Sequence, residues 1–227
     1  MHLNPKAKVS LRHWGADRNP VLIIDDLVLD PHHLVTQALA ASWGPPQGTY
    51  YPGPNAPLPA DYLPTLLSSL RLSLARAFGI APHAPLAASG FFALATQPLA
   101  HLGPWQRIPH YDQLAPDHLA IVHYLSENQG GGTGFFRHIP SGFESLNDAR
   151  RDAYLAQITA WLDTQSLSHF AGPRTTDYEL LEAVDFRFNR AVIYPGNVLH
   201  CALFDGATLS PDPRTGRLTA NSFVRPD

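Results

Sequence analysis

The sequence predicts a mainly β fold, a sheet sandwich or barrel flanked by helices, and three observations predict it. From Ser89 onward the chain breaks into short apolar runs separated by Gly, Pro and Asn, the texture of a sandwich or barrel. Two stretches of helical periodicity precede that region and one interrupts it. The length, 227 residues with 44% hydrophobic and 15% charged, allows one large core and excludes a disordered chain. The expected organisation is a single domain over 1–227. Residues 1–88 supply an N-terminal strand and supporting helices, and 89–227 form the β core with a helical insertion near 145–165.

Taken in order, Val21–Ile24 is an apolar, β-branched run that reads as a strand and ends at Asp25-Asp26. Asp30-Pro31 then offers a cap followed by proline at the first helical position, predicting a helix from about Pro31 to Ser42 with Leu34, Val35, Ala38 and Leu39 on one face. Seven prolines between Pro45 and Pro64 are too dense for a helix or paired strand, so this segment reads as a loop. Pro64 opens a second helix with Leu66, Leu67, Leu70, Leu74 and Phe78 at helical spacing, and Gly79 ends it. The expected strands are Phe91–Ala95, Leu119–Leu125, Thr133–Phe136, Phe186–Phe188, Ala191–Tyr194, Val198–Leu203 and Leu218–Val224. A third helix is expected from Leu146 to Leu162, capped by Ser145.

A formal charge of −3 provides no basic surface for phosphates, so no nucleic-acid partner is expected. Cys201 is the only cysteine, which excludes an intrachain disulfide and suits a reducing compartment. The first 14 residues have no apolar stretch of signal-peptide length, and no run approaches a membrane span. The reading is a cytoplasmic protein with no membrane partner.

Twelve histidines make a metal site worth seeking. His110-Tyr111-Asp112 is the first candidate, because residues two apart on a strand point the same way. Alone it carries little weight, since 12 histidines and 19 acidic residues in 227 positions supply one such pair by chance. Downstream, Arg190 to His200 reads as strand, a turn at Pro195-Gly196-Asn197, and a second strand bearing His200. Two imidazoles and one carboxylate on one face of an ion, with positions left open, is the ligand set of non-haem Fe(II) oxygenases. Arg217 and Thr219 then share a strand face, where a guanidinium fork and a hydroxyl can bind a carboxylate.

His110-x-Asp112, His200 and Arg217-x-Thr219, in this order, resemble the Fe(II)/2-oxoglutarate-dependent oxygenases, specifically their prolyl-4-hydroxylase-like branch. Ile121–Ser126, the glycine-rich Gly130–Phe136 and the Asp25-Asp26 strand followed by a helix are similar to segments of that branch. The resemblance spans most of 20–227. It implies a double-stranded β-helix, or jelly-roll, core with Fe(II) held by His110, Asp112 and His200. It also implies 2-oxoglutarate as co-substrate with O2, and Arg217 on the far carboxylate. Thr219, Tyr124 and Asn221 are implied as supporting or co-substrate groups, and His123 falls where relatives place a tyrosine on that carboxylate. The implied activity is hydroxylation of a peptide, amino acid or small metabolite, with succinate and CO2 as co-products. Retention of Asp112, where related halogenases have a small residue, favours hydroxylation or another oxidative outcome over halogenation. Trp105, Arg107, Gln113, His138 and the Tyr50–Gly53 turn are the substrate-facing candidates. The alternative reading is a cupin-type metal-binding β-barrel acting as an isomerase, hydrolase or ligand sensor, which has no need of Arg217-x-Thr219.

Overall fold

The computed structural model describes residues 1–46, 51–127, 131–204, 207 and 209–227. Tyr50 and Gly130, singled out above, lie outside them. The described chain is mostly β-sheet with three α-helices. A seven-stranded antiparallel sheet contains β1 (Lys8–Trp14), β2 (Asn19–Asp25), β3 (Asn55–Pro57), β4 (Leu86–Ala95), β5 (Leu119–Tyr124), β8 (Ala191–Pro195) and β10 (Arg217–Pro226). Its spatial order is β1-β2-β8-β5-β10-β4-β3. A three-stranded sheet has order β7-β6-β9, with β6 at Thr133–His138, β7 at Tyr178–Val184 and β9 at His200–Ala202.

Helices α1 (Pro31–Ala40) and α2 (Tyr62–Phe78) cover the outer face of the large sheet. Asp30 caps α1, its carboxylate accepting from the His33 N–H at 3.0 Å, as the Asp-Pro signal predicts. Gly79 ends α2 in the left-handed conformation, φ 71°, its N–H bonding the Ala75 carbonyl. Leu34, Leu66, Leu70 and Leu74 pack there against Leu22, Ile24, Phe92, Ile121 and Leu218. The alternate strand residues, Val21, Ile23, Ala120 and Val192, turn inward to a second core shared with Phe135 and Val184 of the small sheet. Because β2 is buried on both faces, it reads as one continuous apolar run. Helix α3 (Asp148–Leu162) closes the far side, burying Tyr154 and Ile158 with Phe136, Leu199 and Cys201.

Four expectations need correction. The α3 cap is Asn147, accepting from the Arg150 N–H, while Leu146 is held outside the helix by backbone and side-chain bonds to Asn197. Phe186–Phe188 is not a strand; the strand is Tyr178–Val184, whose partly exposed face admits Glu179 and Glu182 and so lacks an apolar run. Strand β1 was not expected because residues Lys8–His13 are exposed and pair only with β2. Strand β3 lies in the proline-rich segment, made possible by its position at the sheet edge.

A buried carboxylate ties the layers together. Glu144 accepts from the Ala16 and Asp17 amides of the β1–β2 turn, at 2.9 and 3.0 Å, and from Arg137 at 3.0 and 2.5 Å. The turn can approach because Gly15, at φ +70°, has no Cβ; one would lie 2.0 Å from a Glu144 oxygen. Glu144→Ala leaves two amides and a guanidinium without this partner. It is expected to destabilise the fold by about 3 kcal/mol, read as a lower urea midpoint with unchanged slope.

Candidate metal centre and cavity

The site forms where the 108–113 segment meets β9. His110 and His200 exchange both backbone hydrogen bonds, each 2.8 Å, as an isolated bridge. Asp112 is placed by its own N–H, which bonds the Gly196 carbonyl at 2.7 Å, and Gly196 in turn bonds the His118 carbonyl. His110 and Asp112 therefore share a side through these anchors and not through a regular strand. The three side chains converge, with one nitrogen or oxygen from each within 4.8 Å of the others. His110 Nε2 lies 3.8 Å and His200 Nε2 3.6 Å from the Asp112 oxygens.

Electrostatics prepare these groups for a cation. Burial pushes His200 down to about 4, against the stabilising effect of its bond to the Val198 carbonyl. His110 also falls to about 4, chiefly by desolvation within the cavity and then by repulsion from His200, with Asp112 opposing. Desolvation raises Asp112, and His110 opposes this. Both rings are therefore neutral near pH 7, the state that ligates metal. A carbonyl can only accept, so His200 Nδ1 donates to Val198 at 2.9 Å and Nε2 keeps its lone pair facing Asp112. Two donors about 2.1 Å from one ion stand at most about 4.2 Å apart, and both Asp112–histidine separations meet that bound. The donor set fits a first-row divalent metal.

The triad opens into a cavity of about 1130 Å³ between the sheets, which Arg217 also lines. Arg217 is 2% exposed, with Tyr124, Phe186 and Phe204 rings 5.8, 5.5 and 5.2 Å from its guanidinium carbon. It donates to the Tyr51 hydroxyl at 3.3 Å and the Gly132 carbonyl at 3.4 Å. Glycine is required beside it. A Cβ on Gly131, φ +63°, would meet the Leu203 carbonyl at 1.5 Å, and one on Gly132 would meet the Val184 carbonyl at 1.8 Å. Gly132 to Phe135, the residue paired with His200, is three residues or about 10 Å.

The other expected residues are placed differently from one another. Thr219 follows Arg217 on the same face and is fully buried, its hydroxyl without a partner among the described residues, but it lies beneath the cavity surface. Tyr124 is likewise behind the surface, bonded to Thr133 at 2.7 Å and stacked on Phe186. His123 does not reach the cavity. It faces α2, where Nδ1 meets the Tyr62 hydroxyl at 3.1 Å and Nε2 meets Asn189 at 3.2 Å. The expectation of a co-substrate role for it is corrected by strand alternation, since Tyr124 one position on occupies the inner face. Arg107 is spent on the carbonyls of Leu99, Leu102 and Leu167. His138 is buried against Tyr154 and Tyr178 and bonded to Ser141, away from the cavity. Trp105, Gln113 and Tyr51 line it. Tyr194 was not singled out from the sequence, yet its ring packs edge-on to His200 at 4.7 Å.

Burial lowers His123 to about 4, opposed by its bond to Asn189. An unfolded histidine titrates near 6.5, so the unfolded state binds the extra proton between these values. The stability that neutral His123 contributes is complete above about pH 6.5 and falls as pH drops towards about 4. His123→Gln is expected to flatten this part of the profile, measured as unfolding midpoint between pH 8 and pH 4.

Among the described residues no helix is long and apolar enough to cross a membrane. No curated protein matches the sequence. Solved structures resemble the chain at low identity. One is HygX from Streptomyces hygroscopicus with nickel and 2-oxoglutarate bound, 13% identical, with a TM-score of 0.48 over 92% of this chain and 84% of that one. EvdO2 from Micromonospora carbonacea var. aurantiaca, complexed with 2-oxoglutarate, is 13% identical with a TM-score of 0.40 over 90% and 86%. An N-substituted L-amino acid dioxygenase from Burkholderia ambifaria AMMD is 10% identical with a TM-score of 0.41 over 96% and 93%. Residues 5–224 match DUF6445, described as a family of unknown function, and the chain belongs to that family.

Proposed function

We propose that this chain is an Fe(II)- and 2-oxoglutarate-dependent dioxygenase built on a jelly-roll core, hydroxylating a peptide, amino acid or small metabolite. The observation that supports it is the pairing, in one cavity, of a two-histidine, one-carboxylate cluster with a buried arginine. His110, Asp112 and His200 would hold the metal, and Arg217 would hold the far carboxylate of the co-substrate. Gly132, whose carbonyl accepts from Arg217, and Phe135, paired with His200, are three residues apart, so the guanidinium and the triad border neighbouring parts of the small sheet. Iron with bound 2-oxoglutarate and dioxygen supplies the oxidising chemistry, yielding succinate, CO2 and an oxidised prime substrate.

The chain's own residues bind, orient and exclude water. Val198 fixes the His200 tautomer, so Nε2 faces the metal position. The ring cage around Arg217 keeps its charge dry and directional, which strengthens a carboxylate contact. Tyr124 acts by bracing that guanidinium, and Thr219 offers an unpartnered hydroxyl next to it. The test is anaerobic addition of Fe(II) and then 2-oxoglutarate. A weak visible charge-transfer band followed by succinate on admission of air is the expected result. Metal binding with neither signal would replace this reading with the cupin-type one.

A further inference from the structure

The cavity continues past the triad, and its floor shows what the open half is built to take. The floor is the inner face of β4, β10 and β5, in unbroken register: Asn221 pairs with Phe91 and Val122, Phe223 with Ser89 and Ala120, and Arg225 with Ala87. Ala120 also pairs with Tyr194, whose ring packs on His200. The Tyr194–Ala120–Phe223–Ser89 row therefore carries the ring that packs on His200. Arg225 is two residues further along the same face, about 7 Å from that row.

Arg217 and Arg225 are the arginines among the cavity's lining residues, which include no lysine, and they lie eight residues apart on one face of β10. Arg217 is buried within its aromatic cage, whereas Arg225 is exposed at the open end, where no carboxylate among the described residues pairs with it. Between them, Phe91 and Phe223 form an aromatic floor with centroids 6.1 Å apart. Small residues, Ala87, Ser89 and Ala120, leave room above it. The volume, about 1130 Å³, is at the upper end of small-molecule sites and exceeds what a metal and a five-carbon diacid fill.

We propose that the prime substrate is a carboxylic acid anchored by Arg225. Its apolar or aromatic body lies on Phe223 and Phe91. The inference rests on the oxygenase reading in taking the triad as the reacting centre. A guanidinium holds a carboxylate through two parallel charge-assisted bonds, which neither a neutral amide nor an ester can reproduce.

The test is anaerobic calorimetric titration of the Fe(II)- and 2-oxoglutarate-loaded protein with phenylpropionate, hippurate and N-acetylphenylalanine, each beside its primary amide. At least one acid is expected to bind about tenfold or more tighter than its amide. Arg225→Met should erase that preference while leaving 2-oxoglutarate binding and the melting temperature unchanged, and Arg225→Lys should restore part of it. Equal binding of acid and amide, a preference that survives Arg225→Met, or binding of none of the three acids would overturn the anchor. Failure of the protein to bind 2-oxoglutarate, with an Arg225-dependent acid preference intact, would instead sink the oxygenase reading and leave the anchor standing.

Discussion

His200→Ala is expected to abolish one-to-one Fe(II) binding, with affinity falling at least about 100-fold and succinate formation lost with it. The reason is geometric. Nε2 of His200 is the buried member of the cluster, held towards Asp112 by the Nδ1 bond to Val198, and among the described residues no fourth His, Cys, Asp or Glu joins the cluster. The fold should tolerate the change, because His110 and His200 join through backbone bonds that alanine keeps. Truncating the ring leaves space beside Tyr194, so some loss of melting temperature is expected without metal. The decisive comparison is the effect of added Fe(II). Wild type should gain stability on metal addition in proportion to affinity and metal concentration, and the variant should gain none. One-to-one binding at wild-type affinity in the variant would remove His200 from the ligand set.

How legible the site was depends on how local its causes are. The Pro195-Gly196-Asn197 turn announces itself through residues with strong conformational preferences, and it fixes where His200 emerges. Asp30-Pro31 and Gly79 are equally local, and the helices begin or end within about two residues of where these signals put them. The inner face of β5 was harder to read. Leu119–Tyr124 is apolar on both sides because helices cover one face and the second core covers the other. Without an alternating pattern to set the register, His123 and Tyr124 can exchange faces in a reading of the sequence. Glu144 was not readable at all. Its amide partners are about 128 residues away, and the signal that it is buried exists only once the β1–β2 turn reaches the small sheet. The same applies to Arg107, which the sequence presents as a spare cation and the fold commits to three carbonyls.

On the proposed reading, Arg217→Ala is expected to raise the apparent 2-oxoglutarate constant about 100-fold or more while leaving Fe(II) affinity unchanged, because that reading sets the guanidinium, which donates to Tyr51 and Gly132, on the far carboxylate and gives it no part in holding the metal. Alanine also leaves a void among Tyr124, Phe186 and Phe204, so Arg217→Met, which refills that space without charge, separates packing from recognition. Lysine should rescue only in part, since a point charge neither forks onto a carboxylate nor stacks on the three rings. Truncating the ligand gives the sharper control. 2-Oxobutyrate retains the metal-chelating end and lacks the far carboxylate, so wild type and Arg217→Met should bind it equally weakly if the arginine's contribution is that one contact. If the variant weakens 2-oxobutyrate as much as 2-oxoglutarate, the arginine acts by holding the cavity open. If it weakens neither, the far carboxylate lies elsewhere, and Tyr51 with Arg217 would form a structural pair lining that part of the cavity.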